Sequence, residues 1–418
     1  MQNTPLDYLD QSEQPALVIQ QKGHPPGMWL LTASKLFERG AYYGSRGLMT
    51  LYMVKHLQLR SGDTAIQYGF IIQLTYLLMI PGGILGDLLL GARMSMLIGN
   101  LLQAGGCFIL ATLPEETGFR TGIGMLLLGG ALYGPNLLAV FARNYTDRLR
   151  MLDSGVYVLY LAINIGALTL PALASSLLGW NNFAPLFLIY GVYALFAMIL
   201  GLFHPGKILT KAKEPYQSIT GFRPHWPALF IALFLTLSFW AIYEAVHTVL
   251  LSWSYATSIG FGIINPMLVT AGSIIGAVLF GFFPMNSYRK SASGIVLLAI
   301  CLQLLPVLLP AHWDFNSRDL LIGTASPIML TCMLALAELL VAPMLILISI
   351  KYLPRNFLGT GIGVFFCLSL FTYNLAGQIE HLYEEKGIGF VAYAGAALLF
   401  LFVVGLLILG RKQKNDQP

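Results

Sequence analysis

The stretch PGKILTKAKEPYQSITGFRPHW, residues 205–226, is the longest polar segment between the apolar runs of this 418-residue chain. It carries Lys207, Lys211, Lys213 and Arg223 and divides the chain nearly in half. Apolar runs of about 20 residues, each long enough to cross a hydrocarbon core of ~30 Å, recur on both sides of it. Only 10% of the residues are charged, whereas soluble domains carry roughly 25%. The chain is therefore predicted to be an all-α integral membrane protein with the lipid bilayer around most of its surface.

Six membrane spans are predicted on each side of this linker. They lie at 28–54, 64–90, 94–113, 119–145, 152–179 and 182–204, and at 227–252, 261–283, 291–310, 321–350, 356–382 and 388–409. The halves thus cover 28–204 and 227–409, between polar tails at 1–27 and 410–418, and the first tail lacks the apolar core of a signal peptide. Sixteen of the 24 lysines and arginines fall on the side of the tails and linker, five on the other side, and three within span 1. By the positive-inside rule both termini are predicted to be cytoplasmic.

Several classes of function are disfavoured by the sequence. The cysteines Cys107, Cys301, Cys332 and Cys367 lie in apolar spans without CxxC spacing, so we expect buried thiols rather than disulfides or zinc ligands. No GxSxG, HExxH or P-loop motif occurs, and the seven histidines are scattered. Loop lysines and arginines account for the net charge of +5, so no nucleic-acid partner is needed. We expect no enzymatic activity, no cofactor and no metal.

Ionisable side chains lie well inside three of the predicted spans, away from the span ends. They are Lys35, Glu38, Arg39 and Arg46 in span 1, Glu244 and His247 in span 7, and Glu338 in span 10. A charge at the bilayer centre costs about 2.5–3.5 kcal/mol, so such residues usually line a cavity or pathway. The span 1 charges and Tyr42 recur on one face of a helix. Snorkelling explains one charge near a helix end, but a stripe four turns long favours a water-filled cavity. Glu244 and His247, three residues apart, are compatible with an acid–base pair, but a structural contact or a proton relay is the more common role of this spacing.

Eight short motifs follow one another along both halves. They are ERGAYYGSR (38–46), PGGILGDLLLGARMS (81–95), LYGPN (132–136), LDSGVYVLYLAINIGAL (152–168), FWAIYE (239–244), INP (264–266), ELLVAP (338–343) and YNLAG (373–377). This series resembles the proton-coupled oligopeptide transporter (POT/PTR) family of the major facilitator superfamily. The resemblance implies the superfamily fold of twelve transmembrane helices in two six-helix bundles, with the site between them at mid-membrane. Hydropathy alone is also compatible with a twelve-helix protein of another fold.

The resemblance also implies roles for the matching residues. By this resemblance, the amino terminus of a peptide is expected to bind to Glu338, Asn164 and Asn265, and its carboxylate to Arg39, Tyr42 and Tyr43. Tyr76 is expected to be a further tyrosine of the cavity. Arg46 and Glu244 are expected to form an outer gate. A short peptide is a zwitterion, so an acid in one half and an arginine in the other suit it, and binding across both halves draws them together. For the two asparagines, hydrogen bonding between helices is the alternative.

The sequence departs from the family pattern at several positions. The first acid of the family's ExxER motif is Lys35 here, and the lysine of its KPN motif is Gly134. Gly40 and Phe365 replace aromatic residues of the pattern, and the linker is too short for the two extra helices of many bacterial members.

These departures change the charge balance of the predicted cavity. The family pattern has one surplus acid, which is a natural proton acceptor because protonation removes an uncompensated buried charge. Here the charges of three bases, Lys35, Arg39 and Arg46, balance those of three acids, Glu38, Glu244 and Glu338. We therefore infer that proton coupling is lost or rerouted. His247 is the candidate for rerouting because an unperturbed histidine titrates near pH 6.5. Lys35 is the candidate to replace the missing lysine opposite Glu338.

The sequence therefore predicts a monomeric secondary-active carrier of di- and tripeptides, or of peptide-like solutes, in a bacterial inner membrane. Protons are left open as a coupling partner. The alternatives are a carrier of another zwitterion or an anion, by exchange or facilitated diffusion, and a receptor that binds peptides without transporting them.

Overall fold

The computed structural model describes residues 23–113, 115–205, 226–257, 261–282, 287–308 and 320–415. These residues form helices and no strand. A bilayer offers no water to the backbone, so apolar spans satisfy their N–H and C=O groups within each helix. Most of the predicted N-terminal tail, nearly all of the linker and the last three residues lie outside the described residues.

The helices follow the predicted spans closely. The N-terminal half contains α1 (Gly27–Lys55), α2 (Ser61–Leu90), α3 (Ala92–Thr112), α4 (Glu116–Asn144), α5 (Leu152–Leu178) and α6 (Phe183–Leu202). The C-terminal half contains α7 (Trp226–Thr257), α8 (Phe261–Phe282), α9 (Ser287–Leu308), α10 (Leu320–Tyr352), α11 in two segments (Leu358–Cys367 and Ser369–Lys386) and α12 (Ile388–Asn415). Within the described ranges, ten helical spans are long and apolar enough to cross a bilayer. The predicted all-helical membrane fold is thereby confirmed.

α2 is not the continuous helix that the sequence predicts. Its first segment ends at Leu77, its second begins at Met79, and one π-helical turn, Gly86–Leu90, completes it. Pro81 accounts for the first break, because proline has no N–H to offer the carbonyl of Leu77 and its ring clashes with that carbonyl. Gly91 then adopts φ 82°, a conformation that glycine tolerates and other residues rarely adopt, so that α3 starts at the next residue.

The two halves pack against each other most extensively through two pairs of helices. Within the N-terminal half, α3 packs on α4 and α6, and α1 packs on α5 and α6. Within the C-terminal half, α9 packs on α10 and α12, and α7 packs on α11 and α10. Between the halves, α5 packs on α8 and the second segment of α2 packs on the first segment of α11.

Polar contacts hold the halves together at the end of the molecule where α2, α4 and α10 finish, which we call the Asp87 end. The Asp87 carboxylate accepts hydrogen bonds from the backbone N–H groups of Gly359 (3.1 Å) and Thr360 (2.7 Å) and from the Thr360 hydroxyl (2.9 Å). Arg143, at the end of α4, donates to the carbonyl of Arg355 in the other half at 2.8 Å. A hydrophobic cluster beside these contacts also joins the halves; it includes Leu137, Phe141, Met344, Leu347, Ile350 and Leu358.

A candidate binding site between the halves

The charged face of α1 is built around one buried carboxylate. The Glu38 side chain is 0% exposed. Arg39 binds it through two hydrogen bonds, Nε–Oε2 at 2.7 Å and Nη2–Oε1 at 2.6 Å. Lys35 Nζ lies 3.1 Å from Oε2 of the same carboxylate. A buried charge is tolerated only when paired and hydrogen-bonded, and here one acid is shared by two bases, which leaves the group with a net charge of +1.

Aromatic rings surround the two bases. The Arg39 guanidinium lies over the ring of Tyr42, 4.5 Å from its centroid, and 5.6 Å from that of Tyr43. Lys35 Nζ lies 4.9 Å from the centroid of Tyr133, a residue of α4. A cation over a ring face is attracted by the ring quadrupole, so these rings orient both bases. Tyr43 is 37% exposed and so remains accessible.

Glu338 on α10 is held by two tyrosine hydroxyls. Tyr160 on α5, in the N-terminal half, donates to Oε1 at 2.6 Å. Tyr243 on α7, in the C-terminal half, donates to Oε2. Hydrogen bonds to a charged acceptor are worth roughly 1.5–3 kcal/mol, so both tyrosines stabilise the ionised carboxylate. Glu338 therefore links the two halves directly.

Sequence reasoning assigned no role to these two tyrosines. Tyr243 directly precedes the predicted gate acid Glu244, and Tyr160 lies four residues before Asn164. Four residues is one helical turn, so Tyr160 and Asn164 lie on the same face of α5. That spacing is the signal that could have identified Tyr160.

The predicted gate residues Arg46 and Glu244 are not joined to each other. The Arg46 guanidinium donates through Nε to the Tyr68 hydroxyl of α2 at 2.8 Å. In the described part of the chain, the ion pairs within 4 Å do not include one between Arg46 and Glu244. Both residues are only partly buried. We call this opposite side of the molecule the Arg46 end.

The other predicted site residues take several positions. Asn164 donates to the backbone carbonyl of Tyr160 at 2.9 Å, an interaction within its own helix. Tyr76 on α2 is among the groups that act electrostatically on Arg46. The His247 ring stacks on Tyr243 with centroids 6.2 Å apart and planes 9° apart. Asn265 belongs to α8, but its side chain lies outside the described residues.

The structure brings Lys35 to Glu38 and not to Glu338. At the position of the missing family lysine, a Cβ on Gly134 would meet the Met79 sulfur at 3.2 Å and the Phe366 ring at 3.9 Å. Apolar side chains therefore border this position. In its place, Tyr160 supplies a contact from the N-terminal half to Glu338.

The charges of the site are opposite in sign on the two halves. α1 presents Lys35, Glu38, Arg39 and Arg46, with a net charge of +2, and the C-terminal half presents Glu244 and Glu338, with a net charge of −2. The two groups are near each other, since Glu244 is acted on electrostatically by both Glu338 and Arg46. Such an arrangement suits a ligand that carries a positive and a negative group at its two ends. Among the described residues, no cluster of three or more His, Cys, Asp or Glu side chains could hold a metal ion.

Comparison with known sequences identifies a family profile and curated relatives. The profile of the Major Facilitator Superfamily matches residues 31–377. Dipeptide and tripeptide permease A of Chromobacterium violaceum is 32% identical over 145 residues, which is 34% of this chain and 29% of that protein. Dipeptide and tripeptide permease B of Edwardsiella piscicida is 24% identical over 316 residues, or 72% of this chain and 60% of that protein. The chain thus matches less than two thirds of the length of these two relatives.

Solved structures share the fold over nearly the whole chain. A POT family transporter in complex with a thioalcohol-conjugated peptide gives a TM-score of 0.66 at 17% identity, covering 96% of this chain and 99% of the other. The human organic anion transporter MFSD10 (TETRAN) gives 0.69 at 15% identity, covering 92% and 100%. At these identities the likeness describes the architecture alone.

Proposed function

The chain belongs to the Major Facilitator Superfamily and to its proton-coupled oligopeptide transporter family, and we propose that it carries di- and tripeptides across a bacterial inner membrane. In this proposal the polypeptide crosses the membrane twelve times, has both termini in the cytoplasm and acts as a monomer by alternating access. The two relatives are named dipeptide and tripeptide permeases, and these names support short peptides as the substrate class.

The observation that carries the proposal is the opposite charge of the two halves at the site. Glu338, supported by Tyr160 and Tyr243, would bind the ammonium group of a peptide. Arg39, oriented by Tyr42 and Tyr43, would bind its carboxylate. A zwitterion that bridges these groups interacts with both halves at once. It would therefore favour conformers in which the halves approach each other, as alternating access requires.

The polar contacts at the Asp87 end support one choice for the side of the membrane on which this conformation is closed. The lysines and arginines concentrate on the side of the tails and linker, which is the side of the Asp87 end. In the proposed orientation the molecule is therefore closed towards the cytoplasm. Arg46 and Glu244, which are not paired, would lie on the open outer side.

The triad of Lys35, Glu38 and Arg39 supports transport without proton coupling. Lys35 already neutralises Glu38, so Arg39 can turn towards a substrate carboxylate without leaving a buried acid unpaired. Lys35 would thus act as a permanent positive charge where a coupling proton would otherwise be required. Exchange or facilitated diffusion is then the expected mode. Rerouting through His247, stacked on Tyr243, is the alternative.

Binding to chemically trimmed peptides tests the assignment of the two ends. We expect purified protein to bind dialanine at least tenfold more tightly than N-acetyl-dialanine, which lacks the ammonium group, or dialanine amide, which lacks the carboxylate. Isothermal titration calorimetry measures these affinities. The Glu338→Gln variant should lose discrimination against the acetylated peptide and keep discrimination against the amide. Equal affinity of the wild-type protein for all three peptides would exclude the zwitterion site.

The surplus of bases on α1 favours one second candidate, a carrier of organic anions. With Glu38 shared between Lys35 and Arg39, the α1 face keeps a net positive charge together with Arg46. In that case dialanine amide would not bind, whereas N-acetyl-dialanine would bind as tightly as dialanine. The same titration therefore separates the two candidates.

A further inference from the structure

Helices α5 and α10 meet along a line of three polar contacts that connects the site to the Asp87 end. Tyr160 donates to Glu338 at 2.6 Å. One turn earlier on α5, the Tyr157 hydroxyl donates to the backbone carbonyl of Leu339 at 3.2 Å. At the start of α5, Asp153 accepts from Lys351 at 3.3 Å. We call these three pairs the α5–α10 contact line.

The far end of this line is a buried ionic cluster. Lys290, whose side chain is 0% exposed, lies 3.0 Å from the second oxygen of Asp153. The next residue, Ser154, donates to the carbonyl of Ala277 in α8 at 2.7 Å. The first turn of α5 is thus bound to α8, α9 and α10 of the opposite half. Separating the halves at the Asp87 end requires all of these contacts to break.

The near end of the line is the group that a peptide amine would use. Tyr160 and a bound ammonium group would both occupy the space around Oε1 of Glu338. A ligand shifts a conformational equilibrium only if it binds the two states with different affinity. A ligand that weakens the Tyr160 contact binds less well when α5 is held against α10 and better after α5 has moved away.

We propose that Tyr160 couples occupancy of the Glu338 site to opening of the Asp87 end through the α5–α10 contact line. The ligand-dependent part of this inference rests on the proposed function, whereas the effect of Tyr160 on the ligand-free protein does not. Tyr160 is in this sense a positioning residue whose hydroxyl ties the two halves together at the site. Tyr243 provides the matched comparison, since its hydroxyl binds the same carboxylate from within the C-terminal half.

Distances between spin labels at the Asp87 end test the proposal. Labels at Asp147→Cys and Phe357→Cys, both exposed and in opposite halves, report whether this end is closed, after replacement of the four native cysteines by serine or alanine. We expect the ligand-free protein to show mainly the short distance. Tyr160→Phe should raise the ratio of open to closed molecules about tenfold, the size expected for losing one hydrogen bond to a charged group. Tyr243→Phe should leave this ratio unchanged.

One further variant and an added ligand keep the test decisive. Asp153→Asn acts at the other end of the line and should open the Asp87 end in the same direction as Tyr160→Phe, which covers the case in which the tyrosine variant is poorly folded. Added dialanine should open the wild-type protein and have little further effect on Tyr160→Phe. If Tyr160→Phe and Asp153→Asn both stay closed, or if Tyr243→Phe opens as far as Tyr160→Phe, the proposal is wrong. If Tyr160→Phe opens but dialanine leaves the wild-type distances unchanged, the contact line stands and the peptide assignment fails.

Discussion

The charge at position 35 decides how Glu38 is neutralised. A completely buried carboxylate needs a cation or a proton, and this chain gives Glu38 two cations from its own helix, at i−3 and i+1. One of them can leave without exposing an uncompensated charge. In the proposed mechanism, Lys35 therefore lets the site bind substrate without taking up a proton.

Replacing Lys35 by glutamine should make transport depend on pH. The substitution leaves three acids and two bases in the site, and the surplus acid gains a proton more readily as the pH falls. We expect dialanine exchange by Lys35→Gln to be faster at pH 5.5 than at pH 7.5, and exchange by the wild-type protein to be nearly constant over this range. Initial exchange rates in proteoliposomes with equal pH on both sides measure this effect.

Lys35→Arg is the control, because it keeps the charge and should keep the flat profile. A pH-independent Lys35→Gln variant would show that position 35 has no part in coupling. A wild-type profile that depends on pH, and becomes flat in His247→Gln, would instead support rerouting through His247.

At this scale the sequence located the charged residues of the predicted cavity but did not predict how they pair. The resemblance identified Glu338 and Arg39 as opposite ends of a zwitterion site, and the structure leaves Glu338 bonded to tyrosines and Arg39 bonded to Glu38. Which tyrosine reaches Glu338 depends on the rotation and depth of three helices from two halves. Local spacing carries no information on that geometry, so Tyr243 could not have been found from the sequence.

Among the elements, α2 and α11 approach each other backbone to backbone across the two halves. A Cβ on Gly83 would lie 2.3 Å from the carbonyl oxygen of Gly359, and one on Gly363 would lie 2.3 Å from that of Met79. No real Cβ tolerates such distances from backbone atoms, so the two helices can meet here only because these residues are glycines. A contact with so little side-chain interlocking can separate and re-form.

Gly83→Ala should therefore open the Asp87 end. Its methyl group would collide with the α11 backbone only when the halves are closed, so the closed state alone is destabilised. We expect the long spin-label distance between positions 147 and 357 to become the major population without ligand. Gly69→Ala is the control on the same helix, since a Cβ there meets nothing within 4 Å. The explanation would be incorrect if both alanine variants gave the wild-type distances.

The start of α1 is held by a buried histidine that follows α6. The side-chain amide Nδ2 of Asn144 lies 2.8 Å from His204 Nε2, and the His204 ring packs on Gly27. Burial lowers the pKa of His204 to about 4, and the nearby positive charge of Arg93 adds to this shift. Because the folded-state pKa is below the unfolded value near 6.5, folding favours the neutral ring. This contribution to stability is complete above pH 6.5 and is lost as the pH falls towards 4.

His204→Gln should reduce the acid sensitivity of the fold. We expect the apparent Tm of the detergent-solubilised wild-type protein to fall between pH 7 and pH 5, and to fall less in the variant, because glutamine has no proton to gain. Differential scanning fluorimetry at both pH values measures the difference. Equal falls for both proteins would mean that His204 does not titrate on unfolding.

Helix positions were predicted well because a bilayer requires long apolar segments. The interruption of α2 was missed although Pro81 signals it, since hydropathy does not register a lost hydrogen bond. The division of α11 at Leu368 has no comparable residue in the sequence. It became visible only in the structure.

For the whole molecule, polar contacts join the halves at one end, while the predicted gate residues at the other end form no ion pair with each other; in the proposed transport cycle this arrangement corresponds to one state of alternating access. The contacts at the Asp87 end involve α2, α4 and α5 on one side and α8 to α11 on the other. Among the described residues, the predicted partners Arg46 and Glu244 form no ion pair within 4 Å. The linker, with six spans on either side, predicted the two-half plan, and the charge distribution predicted its orientation. The conformational state could not be predicted, because it depends on a balance of contacts that a single sequence does not encode in any local pattern.

Counterflow of dialanine tests peptide transport through the Glu338 site. Proteoliposomes loaded with unlabelled dialanine are diluted into trace labelled dialanine with no ion gradient, beside vesicles that contain equal amounts of folded Glu338→Gln protein. We predict transient accumulation of label in the wild-type vesicles and none in the variant. Absence of accumulation in the wild-type vesicles, or equal accumulation in both, would contradict peptide transport through the Glu338 site.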